Sequence, residues 1–190
     1  MDALLGAMEQ SLEVLIPEGC FHLAGFSFGG AVAGMLAVRM ARVQRLVLLG
    51  TGGHGGNRRD REALQNWRVD DERVRTAALR QNLEAFMLSC AEAVDALALQ
   101  IHRESCEATR FRSKALSRGT LLPTALQAYR KPILLVWGES DVTAVPVEAA
   151  ECLQQVRPER DWTIVPRAGH WVQYESADAI NTLMQRWLQA

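Results

Sequence analysis

The sequence has few cysteines and no excess of charge of either sign. Its 190 residues include four cysteines and carry a formal net charge of −1. No two cysteines form a Cys-x-x-Cys pair, and none stands at a spacing to histidine that is typical of a zinc site. A balanced charge provides no electrostatic attraction to nucleic acid or to an anionic membrane. We therefore expect neither of these partners and no bound metal.

Long hydrophobic runs are also missing. The chain is 48% hydrophobic and 23% charged, but no apolar stretch approaches the roughly 20 residues that are needed to cross a bilayer. The first residues, MDALLGAMEQ, place no basic region before the apolar ones, as a secretory signal would. Scattered thiols are typical of a reducing compartment. These features predict a cytoplasmic protein.

The sequence does contain an alternation of short apolar strands and helical segments. Strands are predicted at 20–26, 43–50, 132–138 and 161–166, and helices at 2–15, 28–40, 146–155 and 176–189. Strands that are apolar on both faces predict a parallel sheet with helices on both sides, a three-layer α/β sandwich. The apolar spacing between 56 and 127 favours only helices, at 60–67, 71–99 and 100–115. We assign 1–55 and 128–190 to the core and 56–127 to a helical insertion.

A Gly-x-Ser-x-Gly motif runs from Gly25 to Gly29, between the first predicted strand and the next helix. A serine on a sharp strand-to-helix turn crowds its neighbours, so we expect a Cβ atom at Gly25 or Gly29 to clash. The turn would expose the Ser27 hydroxyl near a helix N-terminus, whose dipole favours developing negative charge. The alternative is a tight turn with a solvent-facing serine. The motif makes Ser27 a candidate nucleophile.

Two further candidates follow later strands. Asp141 lies in VWGESDVTAVP after the third strand, and His170 lies in PRAGHWVQYE after the fourth. The carboxyl ends of parallel strands meet at one edge of a sheet, so we expect both side chains to meet Ser27 there. Ser27 would attack, His170 would take its proton and Asp141 would orient the imidazole. Glu139 is a rival acid, and each residue taken alone is also compatible with an ordinary loop.

Through the motifs GFSFGG, VWGESDVTAVP and AGHWVQYE, the chain resembles the α/β-hydrolase family over nearly its whole length. The resemblance implies that 56–127 is a helical cap and that the backbone N–H of Phe28 is an oxyanion donor. The run at 170–175 is similar to hydrolases that cleave C–C bonds in aromatic ring-fission products, but those enzymes carry asparagine where this chain has Phe26. We therefore expect cofactor-free hydrolysis of a small, fairly apolar carboxylic ester through an acyl-enzyme, with C–C hydrolysis as the alternative.

The family has further strands before the helix that begins this sequence, and its second oxyanion donor comes from a loop among them. The resemblance therefore implies a sheet that lacks its N-terminal strands and leaves 20–26 as an apolar edge. Pairing with a second copy of the chain, as a homodimer, is one way to cover that edge. A chain that keeps the triad but cannot catalyse, and serves as a binding or assembly module, is a further functional alternative.

Several other residues have two interpretations. Phe26 and Trp171 each stand next to a candidate triad residue, and we expect them to line the pocket for a small-molecule substrate. We expect His54 in a loop and His102 on a helix surface. GTGGHG, residues 50–55, matches the dinucleotide pattern Gly-x-Gly-x-x-Gly, but no apolar strand ending in an acidic residue follows at the required distance. A hinge into the insertion is favoured, and no organic cofactor is expected.

Overall fold

The computed structural model describes residues 1–155 and 160–189, and its four strands form one sheet. The strands lie in the order β1-β2-β3-β4, and each pair of neighbours is parallel. Their bounds are β1 (Phe21–Phe26), β2 (Val43–Leu49), β3 (Ile133–Gly138) and β4 (Asp161–Val165). All four predicted strands are confirmed to within one residue at each end. Residues 156–159 and 190 of the predicted core lie outside the described residues.

Nine helices are found in the part of the chain that the structure describes. They are α1 (Asp2–Leu15), α2 (Phe28–Arg39), α3 (Glu72–Phe86), α4 (Ala96–Ala108), α5 (Lys114–Arg118), α6 (Leu121–Leu126), α7 (Pro146–Gln155), α8 (Val172–Glu175) and α9 (Ala177–Gln189). A 3₁₀ turn at Ala91–Ala93 lies between α3 and α4. Within these described residues, no helix combines the length and the apolar character that a bilayer crossing requires.

The sheet is buried on both faces, which confirms the three-layer α/β arrangement. Side chains alternate between the two faces of a strand. Leu46 and Leu48 of β2 pack in one cluster with Leu36 of α2, and Val47 of the same strand packs in the other with Ile180 of α9. The two central strands are buried along most of their length, and β2 and β3 are therefore apolar except for Gln44, Arg45 and Gly138.

The insertion differs from its sequence prediction at 60–67, which is irregular and not helical. Both backbone groups of Gln65 bond to the side chain of Asn82 on α3: the Gln65 N–H donates to Oδ1 at 2.6 Å, and the Gln65 carbonyl accepts from Nδ2 at 2.9 Å. These groups are therefore unavailable for the i→i+4 ladder of a helix. A contact with a residue 17 positions away has overridden the local helical spacing.

Two histidines are buried where the sequence suggested a loop and a helix surface. His54 is 2% exposed and His102 is 6% exposed, so the surface prediction for His102 is wrong. The ring of His102 lies edge-on to Trp171, with centroids 6.5 Å apart. His54 lies edge-on to Trp137 of β3, also at 6.5 Å.

Acidification is expected to destabilise the fold through these two histidines. Burial lowers the pKa of both, and the charge of Arg58 lowers the pKa of His54 further. These histidines therefore bind protons more readily in the unfolded chain than in the folded one. The stability that their neutral, buried forms contribute is complete above about pH 6.5 and is lost as the pH falls below it. Urea denaturation should show a smaller loss of unfolding free energy between about pH 7.5 and 5.5 for H54N/H102Q than for the parent. An equal loss would contradict this, and exposed His22→Gln is the control.

Candidate active site

Ser27 occupies a strained turn between β1 and α2. Its backbone angles are φ 53° and ψ −121°, a conformation that non-glycine residues rarely adopt. Both of its backbone groups bond to β2 or to the loop directly after it: its N–H donates to the carbonyl of Leu49, the last residue of β2, at 2.9 Å, and its carbonyl accepts from the Gly52 N–H at 2.9 Å. The neighbouring strand and the loop after it therefore hold the turn in place and compensate for its strain.

The small residues around Ser27 have unequal roles. A Cβ atom at Gly25 would lie 2.4 Å from the backbone oxygen of Gly29, and one at Gly30 would lie 2.5 Å from the Thr51 hydroxyl. A Cβ atom at Gly29 would meet nothing within 4 Å. The predicted clash is thus confirmed at Gly25. The prediction is wrong for Gly29, because the helix turns that position outward to solvent. Gly30 faces the sheet in its place.

Asp141 is fully buried in the loop after β3. Its Oδ1 atom accepts the backbone N–H of Thr143 at 2.7 Å, and its Oδ2 atom lies 2.9 Å from Nδ1 of His170. The rival acid Glu139 is exposed, and its carboxylate accepts the Arg167 N–H at 3.0 Å. Glu139 therefore joins the loops after β3 and β4, whereas Asp141 contacts the histidine.

His170 brings the three predicted residues together. Its Nε2 atom lies 2.9 Å from Oγ of Ser27, and its ring is only 2% exposed. A carboxylate, such as that of Asp141, accepts hydrogen bonds and cannot donate them. Nδ1 of His170 therefore carries the proton of this contact, and Nε2 is left to accept a hydrogen bond from the serine hydroxyl. The rings of Phe26 and Phe86 lie on His170, with centroids 4.8 and 5.8 Å away, and shield this pair from water.

Two contacts of the His170–Asp141 pair were missed from the sequence. The Thr143 hydroxyl lies 3.2 Å from Nδ1 of His170, so this N–H faces two acceptors. Gly50, at the end of β2, has φ 48°, and a Cβ atom there would lie 3.1 Å from Nδ1 and 3.2 Å from Oδ2 of Asp141. The backbone of Gly50 therefore closes one side of the pair. In the sequence, the position of Gly50 directly after an apolar strand is the one feature that could have indicated this contact.

A cavity of about 690 Å³ opens beside Ser27 and Phe28. Phe28 is the first residue of α2, so its N–H has no acceptor within the helix. Its ring stacks on Phe111 of the insertion with centroids 5.3 Å apart. The rest of the wall comes largely from the insertion, which therefore determines what can approach the serine.

Phe26 and Trp171, predicted to line the substrate pocket, lie together on a second cavity of about 520 Å³. Its other walls include Met87 and His102. Met87 also lines the first cavity, while Ser27 lines only the first. The two aromatic residues thus line a different cavity from the one that opens beside Ser27.

Glu175, five residues after His170, connects the histidine loop to the insertion. Its Oε1 atom accepts the N–H groups of Ser89 at 2.7 Å and Cys90 at 2.9 Å, and its Oε2 atom accepts the N–H of Gly169. The Trp171 N–H adds a bond to the Met87 carbonyl at 2.8 Å. Both residues that flank His170 are therefore joined to the segment after α3: Gly169 through the carboxylate of Glu175, and Trp171 directly.

Glu175→Gln is expected to lower the free energy of unfolding by about 2 kcal/mol. An amide offers one acceptor oxygen and turns an NH₂ group toward N–H donors, which leaves backbone amides unpaired. Urea denaturation measures the change. Glu18→Gln, an exposed site remote from the triad, is the matched control. Equal stability of the two variants would show that the Glu175 bonds are unimportant.

The glycine-rich loop 50–55 is packed against the insertion. The Gly53 N–H donates to the Ser117 carbonyl at 2.8 Å, and its own carbonyl accepts the Leu122 N–H at 3.0 Å. No helix begins at this loop, whereas a dinucleotide fingerprint opens one. Across 1–155 and 160–189, no three His, Cys, Asp or Glu side chains are grouped so as to ligate a metal.

Curated proteins are similar in sequence to most of this chain. A 2-hydroxy-6-oxononadienedioate/2-hydroxy-6-oxononatrienedioate hydrolase from a Pseudomonas species is 26% identical over 181 residues, which are 88% of this chain and 62% of the relative. A 2-hydroxy-6-oxo-6-phenylhexa-2,4-dienoate hydrolase from Burkholderia cepacia is 30% identical over 174 residues, 85% of this chain and 60% of the relative. The chain thus spans about 60% of the length of these relatives.

Solved structures share the fold. A meta-cleavage product hydrolase from Pseudomonas fluorescens superposes with a TM-score of 0.73 at 22% identity, covering 99% of this chain and 71% of that one. An esterase from Rhodococcus gives a TM-score of 0.66 at 20% identity, covering 88% and 64%. The family model described as "Alpha/beta hydrolase family" matches residues 2–183. The parallel sheet, the turn at Ser27 and this match over almost the whole chain agree: the chain belongs to the α/β-hydrolase family.

Proposed function

We propose that this chain is a serine hydrolase whose nucleophile is Ser27, whose general base and acid is His170 and whose orienting carboxylate is Asp141. One observation carries the proposal, the unbroken series of two 2.9 Å contacts from Oγ of Ser27 through His170 to Oδ2 of Asp141. A buried carboxylate behind a histidine that accepts from a serine is the arrangement that activates a hydroxyl for acyl transfer.

The reaction follows from these contacts. Oγ of Ser27 attacks the substrate carbonyl carbon as its proton passes to Nε2 of His170, and Asp141 stabilises the resulting imidazolium. Negative charge develops on the carbonyl oxygen, where the Phe28 N–H and the N-terminus of α2 stabilise it. His170 then protonates the leaving group, and an acyl-enzyme remains. Water, deprotonated by His170, hydrolyses that intermediate and restores Ser27.

A carboxylic ester is the substrate class that this mechanism cleaves most easily, because the alkoxy oxygen leaves readily as an alcohol once His170 has protonated it. C–C hydrolysis is the second candidate. It is favoured by the relatives named above, which are hydrolases of a dienoate and of a dienedioate. It is also favoured by the wall of the cavity beside Ser27, where five cationic side chains outnumber two acidic ones, because such a wall suits a carboxylate-bearing substrate better than a wholly apolar one.

A fluorophosphonate probe tests the proposal, because it labels only an activated serine. We expect labelling of the parent chain and of Ser11→Ala, a control at an exposed serine of α1, and none of Ser27→Ala or His170→Ala. A folded, monodisperse parent that is not labelled would contradict the proposal and favour the catalytically inert alternative.

Turnover of two substrates separates the two reaction classes. We expect hydrolysis of p-nitrophenyl acetate, followed by release of p-nitrophenolate, if ester chemistry is the natural reaction. A ring-fission dienoate, followed by loss of its absorbance, tests the C–C alternative. Turnover of the dienoate alone would overturn the ester assignment while leaving the roles of the triad intact.

A further inference from the structure

Thr143 contacts both members of the His170–Asp141 pair. It lies in the loop after β3, is 5% exposed and lines the cavity beside Ser27. Its backbone N–H donates to Oδ1 of Asp141 at 2.7 Å, and its hydroxyl oxygen lies 3.2 Å from Nδ1 of His170. Together with the 2.9 Å contact between Nδ1 and Oδ2 of Asp141, these contacts form a closed cycle. One threonine therefore holds both members of the pair.

The Thr143 hydroxyl accepts a hydrogen bond in its contact with His170. Nδ1 of His170 carries a proton because it faces the carboxylate of Asp141, and a hydroxyl oxygen has lone pairs that can accept from the same N–H. The negative end of the hydroxyl dipole therefore points toward the imidazole. An N–H of a charged imidazolium forms a stronger hydrogen bond than an N–H of a neutral ring, so this contact strengthens when His170 takes the proton of Ser27.

Water is not expected to replace this hydroxyl in a variant that lacks it. Asp141 is 0% exposed and His170 is 2% exposed, and the backbone of Gly50 closes one side of the pair. Valine has a methyl group where threonine has its hydroxyl. Thr143→Val therefore removes the acceptor without opening a space for water, and it keeps the backbone N–H that bonds to Asp141.

We infer that Thr143 is a positioning residue, whose hydroxyl orients His170 toward Asp141 and stabilises the imidazolium that forms as Ser27 attacks. The inference rests on the proposed function, because the imidazolium forms only during that reaction. The contact is stronger in the transition state than in the resting enzyme, so its loss lowers kcat and leaves the affinity for substrate unchanged.

Steady-state hydrolysis of p-nitrophenyl acetate tests the role of the hydroxyl. We expect Thr143→Val to lower kcat by about tenfold, with KM within about twofold of the parent. Thr143→Ser keeps the hydroxyl and should retain kcat within about threefold. Thr124→Val, the same exchange at an exposed position of α6, is the control. An unchanged kcat in Thr143→Val, or an equal loss in Thr143→Ser, would overturn the inference.

The pH profile separates this role from a merely structural one. Without the hydroxyl the imidazolium is less stable, so the acidic limb of kcat/KM should move to lower pH in Thr143→Val, by about 0.5 to 1 pH unit. A structural defect would lower the rate at every pH and leave the limb in place, and that result would overturn the inference. Thr143→Ser should keep the limb of the parent. Thr143→Ala also lacks the hydroxyl and replaces Thr143→Val if circular dichroism shows that the valine variant is unfolded.

The other charged or titratable side chains near His170 are unchanged in these variants. They are Asp141, His54, Arg58, Arg61 and Glu175. Asp141 contacts His170 directly. The other four lie beside its neighbours: the charge of Asp141 acts on His54 and Arg58, Arg61 lies over the ring of Phe86, and Glu175 bonds to the N–H of Gly169. A difference between the limbs of Thr143→Val and Thr143→Ser therefore reports the hydroxyl.

Two measurements separate failure of this inference from failure of the proposed function. If the fluorophosphonate does not label Ser27 in the parent, the proposed function is contradicted. An NMR titration of the histidine rings, with His170→Ala to assign the signals, needs no activity and still decides whether the hydroxyl acts on His170. We expect the midpoint of the His170 signals to lie at lower pH in Thr143→Val than in the parent. Coincident midpoints in a parent that is labelled would overturn this inference alone.

Discussion

Asp141→Asn is expected to lower kcat for ester hydrolysis by about 10⁴-fold. An asparagine amide facing His170 favours the tautomer that carries its proton on Nε2, and that nitrogen then cannot accept the proton of Ser27. Glu139→Gln is the matched control, because Glu139 is exposed and bonds to the Arg167 N–H. Steady-state kinetics with p-nitrophenyl acetate measure both variants.

The comparison decides between two carboxylates that stand two residues apart. We expect Glu139→Gln to retain kcat within about twofold, as for most exposed sites. A large loss for Glu139→Gln, with little loss for Asp141→Asn, would assign the orienting role to the rival acid. Far-ultraviolet circular dichroism of both variants separates a lost fold from a lost catalytic group.

Gly25→Ala is expected to destabilise the chain by about 3 kcal/mol and to reduce labelling of Ser27 strongly. Its Cβ atom would lie 2.4 Å from the Gly29 carbonyl oxygen and 2.7 Å from the Cβ of Ala33. Backbone atoms of α2 cannot rotate away as a flexible side chain can, so the helix must shift from the sheet. The strained turn at Ser27 lies between the two colliding residues and must move with them.

Gly29→Ala provides the control for this effect within the same motif. A Cβ atom there meets nothing within 4 Å, and alanine is favoured over glycine in a helix by up to about 1 kcal/mol. We therefore expect Gly29→Ala to match or exceed the parent in thermal unfolding temperature and to be labelled normally. Similar destabilisation by both substitutions would show that the motif is conformationally restricted at both glycines.

The local pattern of the sequence was sufficient for the elements that carry the site. Runs such as VQRLVLL and ILLVWG are apolar at nearly every position, and a strand with two buried faces follows from that. Once the strands are parallel, their carboxyl ends share one edge, so residues that follow β1, β3 and β4 must approach one another. Ser27, Asp141 and His170 could be placed together for this reason.

The residues around the triad could not be found in the same way. Glu175 acts through Ser89 and Cys90, which are more than 80 positions away in the chain. Thr143 looked like any loop threonine, and the irregular course of 60–67 depends on Asn82. The cationic side chains on the wall of the cavity beside Ser27 likewise belong to two stretches, 58–61 and 114–118, that only folding brings together.

The sequence by itself determined the strands, the helices of the core and the edge at which the candidate triad assembles, because periodicity and parallel topology depend on neighbouring residues and on chain order. The tertiary structure alone decided which glycine faces the helix, which acid faces His170 and which charges meet beside Ser27. Those outcomes depend on distances and orientations between segments far apart in the chain, and no local pattern encodes a distance.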